Sequence, residues 1–464
     1  MTYRSVPNSR KVSLFELSHP CPEAGGRSRT VQPRVRLDRW TILRDLLVDA
    51  WANRDEPTED LLERHLGSLS LLESSLIRRM YLNVTRMLPI PDEAEVDTVG
   101  HSVSFDDTGE GITTSVHLTF TITHGDGSVE RLRLKTGRTP STPEEAAVVW
   151  TGAEEGESFT DLMAWPGELE PIEAPSDAEE RLRMLVESAP VLHLSGVRPG
   201  RRCVWCERSA VCGAFPADRV VPVNAQTINL TKTDIVGLGQ CHRRVAWRRL
   251  YAVPRDDGDA AESSAAGSQG RLFHDMVQVA EGSDAPTAAA HDYLRGVSAS
   301  EVADLAMMWE THRAMMEAEG LSVRLTEFPV GFTLLEGPNS DLSGVTLIAF
   351  VDLTARDGFD RPVAVELKTG GPGDTGVEDD LYAVGMRRWV GSDVPLVVHR
   401  HQVRSGTCEV VTVQPDEVVR AVERLQRRVL PVHDWDWENP LQPDFSVGAW
   451  CSTCEYRGTC EGYR

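Results

Sequence analysis

The sequence predicts an α/β protein of two tandem domains, each with a central mixed sheet that is flanked by helices and closed by a cluster of cysteines. Three observations lead to this prediction. The spacing C-x2-C-x5-C occurs twice, the tripeptide Lys-Thr-Gly occurs twice, and helical and strand-like hydrophobic patterns alternate along the 464-residue chain. We expect the two domains to span residues 1–222 and 223–464.

The composition is that of a globular, acidic protein. Hydrophobic residues make up 41% of the chain and charged residues 26%, which is enough apolar surface for a large core. The 48 basic and 71 acidic residues give a net charge of −23, which excludes a polybasic binder but allows a local basic groove. Because the chain shows neither a secretory signal nor an apolar run long enough to span a bilayer, we expect a cytoplasmic protein without membrane contact.

The spacing of the nine cysteines is the most informative feature of the sequence. In a reducing compartment, the two triplets in RRCVWCERSAVCG and AWCSTCEYRGTCEG indicate thiolate ligands of a metal or a cluster rather than disulfides. Each triplet lacks a fourth ligand, and in each half a single cysteine lies far upstream. The two predicted ligand sets are Cys21, Cys203, Cys206 and Cys212 in the first half, and Cys241, Cys451, Cys454 and Cys460 in the second.

Lysine usage indicates an internal duplication, because only four of the 48 basic residues are lysine. Lys11 and Lys232 lie shortly before the two upstream cysteines, while Lys135 and Lys368 each open a Lys-Thr-Gly tripeptide. These features recur in the same order as the cysteine triplets, so we interpret the halves as two copies with longer loops in the second. A chance match of short strings is the alternative.

The second half alternates helices and strands. Helical spacing of apolar residues occurs in LTKTDIVGLGQCHRRVAWRRLYAV, GRLFHDMVQVAEG and SEVADLAMMWETHRAMMEAEG. Three strand-like runs follow with short turns between them: VRLTEFPVGFTLL, GVTLIAFVDLTAR and PVAVELKTG. We then expect a helix in EDDLYAVGMRRWV, a strand in PLVVHRHQV and a helix in PDEVVRAVERLQRRVLPV, before the last cysteine triplet.

A candidate catalytic group lies on the last two of these three strands. Asp352 is on one strand, and Glu366 and Lys368 share a face of the next because side chains alternate along a strand. Two carboxylates and an ammonium group suit phosphodiester hydrolysis, since the carboxylates hold Mg²⁺ or Mn²⁺ and the lysine orients or deprotonates the nucleophile. A strand that ends in surface charges would give the same pattern.

The order of the motifs in the second half resembles one nuclease family. An upstream cysteine, a Gly-x-x-x-His, an aspartate on a strand, a hydrophobic-Glu-x-Lys-Thr-Gly and a terminal cysteine triplet follow one another at Cys241, Gly270–His274, Asp352, Val365–Gly370 and Cys451–Cys460. Over about residues 228–464 the chain resembles the RecB-like branch of the PD-(D/E)XK nuclease superfamily, specifically its iron–sulfur members related to AddB and the CRISPR-associated RecB-like exonucleases. The resemblance implies a restriction-endonuclease-like fold for both domains.

The resemblance also implies roles for individual residues. Asp352 and Glu366 would bind Mg²⁺ or Mn²⁺ near the Leu367 carbonyl, His274 would complete the metal shell, and Lys368 would serve the attacking water.

The resemblance further implies that the second cysteine set holds a [4Fe-4S] cluster, which pins the C-terminal end onto the first helix of the domain. Four thiolates also suit zinc, so for both cysteine sets the metal stays open. The chain departs from the family at its Gln-x-x-x-Tyr motif, where Glu378 stands in place of the glutamine before Tyr382. Tyr382 is the residue of this motif expected to contact nucleic acid.

The first half lacks the predicted catalytic ligands. An ungapped alignment of RLKTG with ELKTG places Lys135 at the position of the catalytic lysine, but Arg133 and Thr119 at the positions of the two carboxylates. A divalent ion would meet a cation there, so we expect no catalytic metal. By analogy with inactive nuclease-like domains, the first half is predicted to keep a cysteine cluster and to contribute structure, DNA contact or partner docking.

Arginines beside aromatic residues are candidates for contact with DNA: Arg243, Arg244, Arg248, Arg249, Arg387 and Arg388. Such clusters suit phosphate contacts and base stacking, although a solvated helix face would have the same composition. The sequence has no phosphate-binding loop of a motor, so a helicase would be a separate subunit.

Together these patterns predict a Mg²⁺- or Mn²⁺-dependent deoxyribonuclease, an exonuclease on single strands or DNA ends, in DNA repair or phage defence. The alternative is a non-catalytic iron–sulfur scaffold that binds DNA within a helicase–nuclease or defence complex. The Asp, Glu and Lys set favours the enzyme, and the missing Gln-x-x-x-Tyr favours the scaffold.

Overall fold

In the computed structural model the described residues form two compact units, unit 1 from residue 10 to 189 and unit 2 from residue 200 to 461. Cys203 and Cys206 of the first cysteine triplet lie in unit 2, although the sequence prediction assigns residues 1–222 to the first domain. Both units contain mixed sheets with flanking helices, which confirms the predicted fold class. The structure describes residues 10–11, 13–14, 17, 38–91, 93–107, 112–189, 200–206, 209, 214–215, 217, 226–255, 265–335, 343–370, 376–436, 439 and 441–461.

Unit 1 combines helices with two small sheets. One sheet has the order β1–β4–β3 and the other the order β2–β5–β6–β7–β8. Its described elements are β1 (Arg10–Lys11), α1 (Arg39–Ala52), α2 (Thr58–Leu66), α3 (Leu71–Met87), β2 (Glu95–Asp97), β3 (His101–Asp107), β4 (Ile112–Leu118), β5 (Phe120–Thr123), β6 (Val129–Lys135), α4 (Pro143–Thr151), β7 (Glu157–Met163), β8 (Glu168–Pro171) and α5 (Ala178–Ser188).

Unit 2 is built around one larger sheet. Its described elements are a 3-10 helix (Arg201–Trp205), β9 (Gln226–Thr231), α6 (Lys232–Leu238), α7 (His242–Arg249), α8 (Ala265–Glu281), α9 (Pro286–Arg295), α10 (Ala299–Ala318), β10 (Ser322–Leu335), β11 (Ser343–Arg356), β12 (Pro362–Lys368), α11 (Gly376–Gly385), α12 (Arg387–Val390), β13 (Leu396–Gln402), β14 (Thr407–Val413), α13 (Glu417–His433) and a second 3-10 helix (Ala449–Thr453). None of the described helices of either unit has the length and apolar character needed to cross a lipid bilayer.

The sheet of unit 2 forks along β11. The strand order is β10–β11–β12–β13–β14, with β9 as a further partner of β11. β9 pairs in parallel with the first part of β11, up to Ile348, and β12 pairs antiparallel with its last part, from Leu353 onward. Asp352 lies at the point where β11 changes from one partner to the other.

Different helices cover the two faces of the sheet. Val365 and its alternate neighbours on β12 share a hydrophobic core with α8 and α10, including Phe273 and Trp309. On the opposite face, α11 lies so close to β10 that a Cβ at Gly385 would come within 2.8 Å of Val330 Cβ. Glycine at this position therefore allows the helix to pack against the strand.

The two units share an order of strands and helices. In unit 1, β3–β4 and β5–β6 are antiparallel, α4 follows, β7 is parallel to β6, and β8 is antiparallel to β7. In unit 2, β10–β11 and β11–β12 are antiparallel, α11 follows, β13 is parallel to β12, and β14 is antiparallel to β13. The parallel pairs β1–β4 and β9–β11 also correspond.

The two cysteine triplets begin with the same local backbone structure. Gly200 and Gly448 are both fully extended, and each precedes a 3-10 helix. The Cys203 N–H donates to the Gly200 carbonyl at 2.9 Å, and the Cys451 N–H donates to the Gly448 carbonyl at 3.0 Å. Each glycine N–H also lies 3.3–3.4 Å from the sulfur of the cysteine in its own turn.

The C-terminal cysteine segment is fastened to α7. The buried Glu455 carboxylate accepts a hydrogen bond from Arg244 Nε at 2.8 Å and is also paired with Arg248. The Tyr456 ring packs edge-on against Trp247, with 5.5 Å between the ring centroids. These contacts bring the end of the described chain back to the helix that follows Cys241.

We expect Glu455→Ala to lower the free energy of unfolding of unit 2 by about 3 kcal/mol, because two partly buried arginines lose their counter-ion. Urea unfolding measures this change. Asp292→Asn is a control, since Asp292 pairs with Arg295 on the solvent-exposed surface of α9 and such pairs contribute about 0.5 kcal/mol. Equal losses of stability in the two variants would contradict the conclusion that Glu455 holds the C-terminal cysteine segment against α7.

Candidate active site

The first predicted ligand, Asp352, occupies the fork of the sheet. Its Oδ2 accepts a hydrogen bond from the backbone N–H of Leu367 at 2.7 Å, just beyond the last ladder pair of Leu353 with Val365. The carboxylate therefore satisfies a backbone donor where the two strands separate. Its Oδ1 lies 3.0 Å from Nδ1 of His274 on α8.

Glu366 is almost fully buried, with 5% of its surface exposed. Its Oε1 accepts hydrogen bonds from Lys368 Nζ at 2.9 Å and from Lys232 Nζ at 3.3 Å. Its Oε2 accepts one from the Tyr382 hydroxyl at 2.5 Å. The alternation of β12 thus places Glu366 and Lys368 together on the face that α11 covers.

A second buried glutamate, Glu378 on α11, completes a network of two carboxylates and two ammonium groups. Lys368 Nζ donates to its Oε2 at 3.0 Å, and Lys232 is paired with it as well. Burial and the neighbouring Glu366 raise the pKa of Glu378, while the two lysines oppose this shift. The lysines therefore balance the two glutamates in a poorly solvated space.

Glu327 on β10 joins His274 and Asp352 as a third ligating group. Ligand atoms of these three residues lie within 4.8 Å of one another. Glu327 has a positive φ of 49° and is held by Arg201 at 2.9 Å. Burial alone would lower the pKa of His274, but the charge of Asp352 and the hydrogen bond to it outweigh burial, and the pKa is raised.

The glycine of the Gly-x-x-x-His motif lets α8 approach the Lys-Thr-Gly turn. A Cβ on Gly270 would lie 2.7 Å from Thr369 Oγ1. The absence of a side chain at Gly270 therefore helps to bring His274, one helical turn further on, next to Asp352.

The donor set suits a hard divalent cation. Carboxylate oxygens with a single imidazole are ligands that Mg²⁺ and Mn²⁺ accept, and they gather here on the exposed side of a buried network. The residues present therefore fit the metal that the sequence predicts, with Glu327 as a ligand that it did not predict.

Unit 1 repeats the local geometry of this site with different charges. Thr119 Oγ1 accepts a hydrogen bond from the Leu134 N–H at 3.0 Å, in the place of the aspartate. Arg133 takes the place of the glutamate of β12, and it donates to Glu145 on α4 at 2.6 Å. Burial would raise the pKa of Glu145, but the hydrogen bonds and charges of Arg133 and Lys135 lower it to about 2. An internal ion pair thus fills the position of a metal ligand.

The four cysteines of the second predicted set converge. Cys241, Cys451, Cys454 and Cys460 line one small cavity with Arg244, Phe445 and Trp450. Cys241 precedes the first turn of α7, and the other three lie on the C-terminal segment. Of the first predicted set, Cys203 and Cys206 lie in unit 2, and their backbone carbonyls accept hydrogen bonds from Asn229 Nδ2. Cys21 and Cys212 lie outside the described residues.

Most of the residues predicted to contact nucleic acid have internal partners in the fold. Tyr382 is 1% exposed, and its hydroxyl donates to Glu366 instead of facing solvent. Arg243 and Arg249 are buried, and Arg244 and Arg248 are partly buried in ion pairs with Glu455. These side chains hold the fold together because burial in a low-dielectric interior requires an internal counter-ion or acceptor.

Arg387 is also used internally, since its guanidinium donates to the Ala383 carbonyl at 3.0 Å and to the Val394 carbonyl at 2.7 Å. The side chain of Arg388 lies outside the described part of the structure.

Sequence reasoning did not place Lys232, Glu327 or Glu378 in the site. Two of them carried a signal: Lys232 is one of four lysines, and Glu378 follows its Lys-Thr-Gly tripeptide at the same distance as Glu145 follows the first one. The sequence gives no such signal for Glu327, because its position beside His274 and Asp352 depends on the path of β10.

Comparisons with known proteins give one family and distant structural neighbours. The family model of the PD-(D/E)XK nuclease superfamily matches residues 229–461. The crystal structure of SSO0001 is similar at 11% identity over 51% of this chain and 87% of that chain, with a TM-score of 0.23. A protein named as a putative exonuclease from Eubacterium rectale is similar at 9% identity over 48% and 87%, with a TM-score of 0.31. No curated protein matches the chain.

We expect Glu378→Gln to lower the free energy of unfolding of unit 2 by about 2 kcal/mol, because Lys232 and Lys368 then share a single buried carboxylate. The double variant Lys232→Gln/Glu378→Gln restores the balance of charge and should lose less stability than the sum of the single variants. Urea unfolding of the single and double variants measures this coupling. If the stability loss of the double variant equalled the sum of the two single losses, Lys232 and Glu378 would not be energetically coupled.

Proposed function

The chain belongs to the PD-(D/E)XK nuclease superfamily, and we propose that unit 2 is a Mg²⁺- or Mn²⁺-dependent deoxyribonuclease that acts as an exonuclease on single strands or DNA ends. The observation that carries this proposal is the convergence of Asp352 and His274 at the fork of the sheet with Glu366 and Lys368 beside them. The family assignment does not specify the substrate or the mode of attack, so both are part of the proposal.

Each residue of the site has a defined part in the proposed reaction. Asp352, Glu366 and His274 would hold the divalent ion together with Glu327 and the Leu367 carbonyl. The bound ion supplies Lewis acidity at the phosphate and lowers the pKa of a water. Lys368 would orient the attacking water, and its contacts with Glu366 and Glu378 fix its ammonium group for this task. Tyr382 positions Glu366 by its hydrogen bond to Oε2.

We further propose that unit 1 is an inactive copy of this domain. Its support is the shared order of strands and the equivalent hydrogen bonds of Thr119 and Asp352 to the backbone of the next strand. Without carboxylates at these positions, unit 1 would contribute structure, DNA contact or partner docking.

The cysteine set Cys241, Cys451, Cys454 and Cys460 is proposed to hold a [4Fe-4S] cluster. The support is a cavity lined by all four thiols, which is the donor set that such a cluster or a zinc ion requires. When bound, the cluster would cross-link the C-terminal segment to the start of α7. The first cysteine triplet, with its matching turn, is proposed to hold a second cluster or a zinc ion.

The proposed biological setting is DNA repair or phage defence in the cytoplasm, where a separate helicase subunit could deliver the strand. The net charge of −23 supports delivery by a partner, because a polyanion is repelled by most of the surface of an acidic chain.

One observation favours a second candidate function, a non-catalytic iron–sulfur scaffold. Both oxygens of Glu366 are already engaged, by two lysines and by Tyr382. A metal ion would have to compete with these internal partners.

We expect wild-type protein, purified anaerobically, to degrade labelled single-stranded or duplex DNA with Mg²⁺ or Mn²⁺. Glu366→Ala and Lys368→Ala should each lower the rate at least 100-fold, since one removes a metal ligand and the other the group that serves the water. Lys135→Ala is the matched control from the Lys-Thr-Gly of unit 1 and should leave the rate unchanged. If wild type and variants are equally inert but all bind DNA, the scaffold replaces the nuclease.

We expect Cys241→Ser to lower the iron content and the brown colour of the purified protein by the amount of one cluster, because that cluster loses the ligand that joins it to α7. Iron analysis and the visible absorption spectrum measure this loss, with Cys408→Ser as a control that keeps the iron. A colourless wild-type protein that contains zinc at these cysteines would contradict the cluster.

A further inference from the structure

A second group of metal-ligating side chains lies on the face of the sheet opposite the candidate active site. His399 and His401 are alternate residues of β13, and Cys408 lies directly opposite His401 on β14. In the parallel register, His401 is paired with Leu367, whereas Glu366 is paired with Arg400. The histidines therefore share the face of Leu367, which belongs to the core beneath α8 and α10, and not the face of the candidate nuclease residues.

The distances within this group suit one metal ion. Ligand atoms of His399, His401 and Cys408 all lie within 4.8 Å of one another. The Cys408 sulfur lies 3.8 Å from His399 Nδ1. Two ligands of a tetrahedral zinc ion with Zn–S of about 2.3 Å and Zn–N of about 2.05 Å lie roughly 3.6 Å apart, so only a small adjustment is needed.

One ring nitrogen of His401 has no hydrogen-bond partner among the described residues. This nitrogen is Nε2, and the His401 side chain is fully buried. Its other nitrogen, Nδ1, lies 3.2 Å from Nδ1 of His312 on α10. A buried nitrogen without a hydrogen-bond partner destabilises the fold, and a bound metal ion would supply the missing partner.

A carboxylate lies beside the second of these two imidazoles. His312 Nε2 lies 3.4 Å from Glu281 Oε1 on α8, and the carboxylate favours a proton on that nitrogen. The Nδ1 of neutral His312 is then an acceptor, so His401 donates its Nδ1–H to it and keeps a free lone pair on Nε2. Carboxylates that bond to a ligating histidine orient the imidazole ligands of metals, and here Glu281 would act on His401 through His312.

We propose that His399, His401 and Cys408 bind a zinc ion, with His312 and Glu281 as the residues that orient His401. Two imidazoles and a thiolate are borderline-soft ligands, which select zinc over the Mg²⁺ or Mn²⁺ of an oxygen-rich site. The ion would join β14 to β13, the strand that lies beside the Glu-x-Lys strand of the nuclease site. This site is separate from both cysteine sets, because Cys408 belongs to neither.

Zinc content distinguishes this site from the cysteine cavity. Full-length protein is loaded with zinc, dialysed and analysed by mass spectrometry for zinc and iron. Cys408→Ser and His401→Ala should each contain one zinc fewer per chain than wild type, whatever metal the cysteine sets hold. Cys454→Ser should keep this zinc, and circular dichroism checks that all variants are folded.

Cobalt provides a measurement that does not depend on counting. Co²⁺ added to wild type should give a thiolate-to-cobalt charge-transfer band that one equivalent of zinc abolishes, and Cys454→Ser should retain this band while Cys408→Ser lacks it. Equal zinc content in wild type and folded Cys408→Ser, or a cobalt band that survives Cys408→Ser unchanged, would overturn the proposal.

Discussion

The change of partner along β11 is the constraint on which the candidate site depends. β9 pairs with the first part of this strand and β12 with the last, so the neighbouring strands separate at Asp352. A backbone N–H at such a fork loses its ladder partner, and a buried donor must be satisfied. The Asp352 carboxylate accepts the N–H of Leu367 and so stabilises the fork with one oxygen, while the other oxygen faces His274. The same contact that stabilises the fold therefore orients a candidate metal ligand.

Unit 1 shows that the fork and the chemistry are separable. The Thr119 hydroxyl accepts the Leu134 N–H, so it satisfies the backbone without contributing a negative charge. The next strand has Arg133 where unit 2 has a glutamate, and the arginine is neutralised by Glu145 on the following helix. The Thr119 hydroxyl and the Arg133–Glu145 ion pair thus keep the arrangement of the strands without adding net charge. Unit 2 has carboxylates at both positions instead: Asp352 faces His274, and Glu366 is paired with Lys232 and Lys368.

Much of this site follows from local sequence rules, and the rest depends on tertiary structure. Alternation along β12 predicts that Glu366 and Lys368 share a face, and the hydrophobic patterns predict the strands that carry Asp352 and Glu366. Lys232 and Glu327 could not be placed in the same way, because the positions of their side chains depend on how α6 and β10 pack. Clusters of arginine and aromatic residues suggested an exposed surface for DNA, but α7 turns its arginines towards the returning C-terminal segment. The strand β14 was also missed. Its sequence TCEVVTV is rich in β-branched residues, but the two adjacent valines interrupt the alternation of polar and apolar side chains.

The position of manganese in a crystal soaked with Mn²⁺ tests the account most directly, because anomalous scattering locates the ion without reference to activity. The account predicts one strong peak in unit 2 among Asp352, Glu366, His274 and Glu327, and no peak beside Thr119 and Arg133 in unit 1. Manganese at the unit 1 position, or at neither position in crystals that are saturated with the ion, would contradict the claim that carboxylates at the fork of unit 2 form the metal centre of a nuclease.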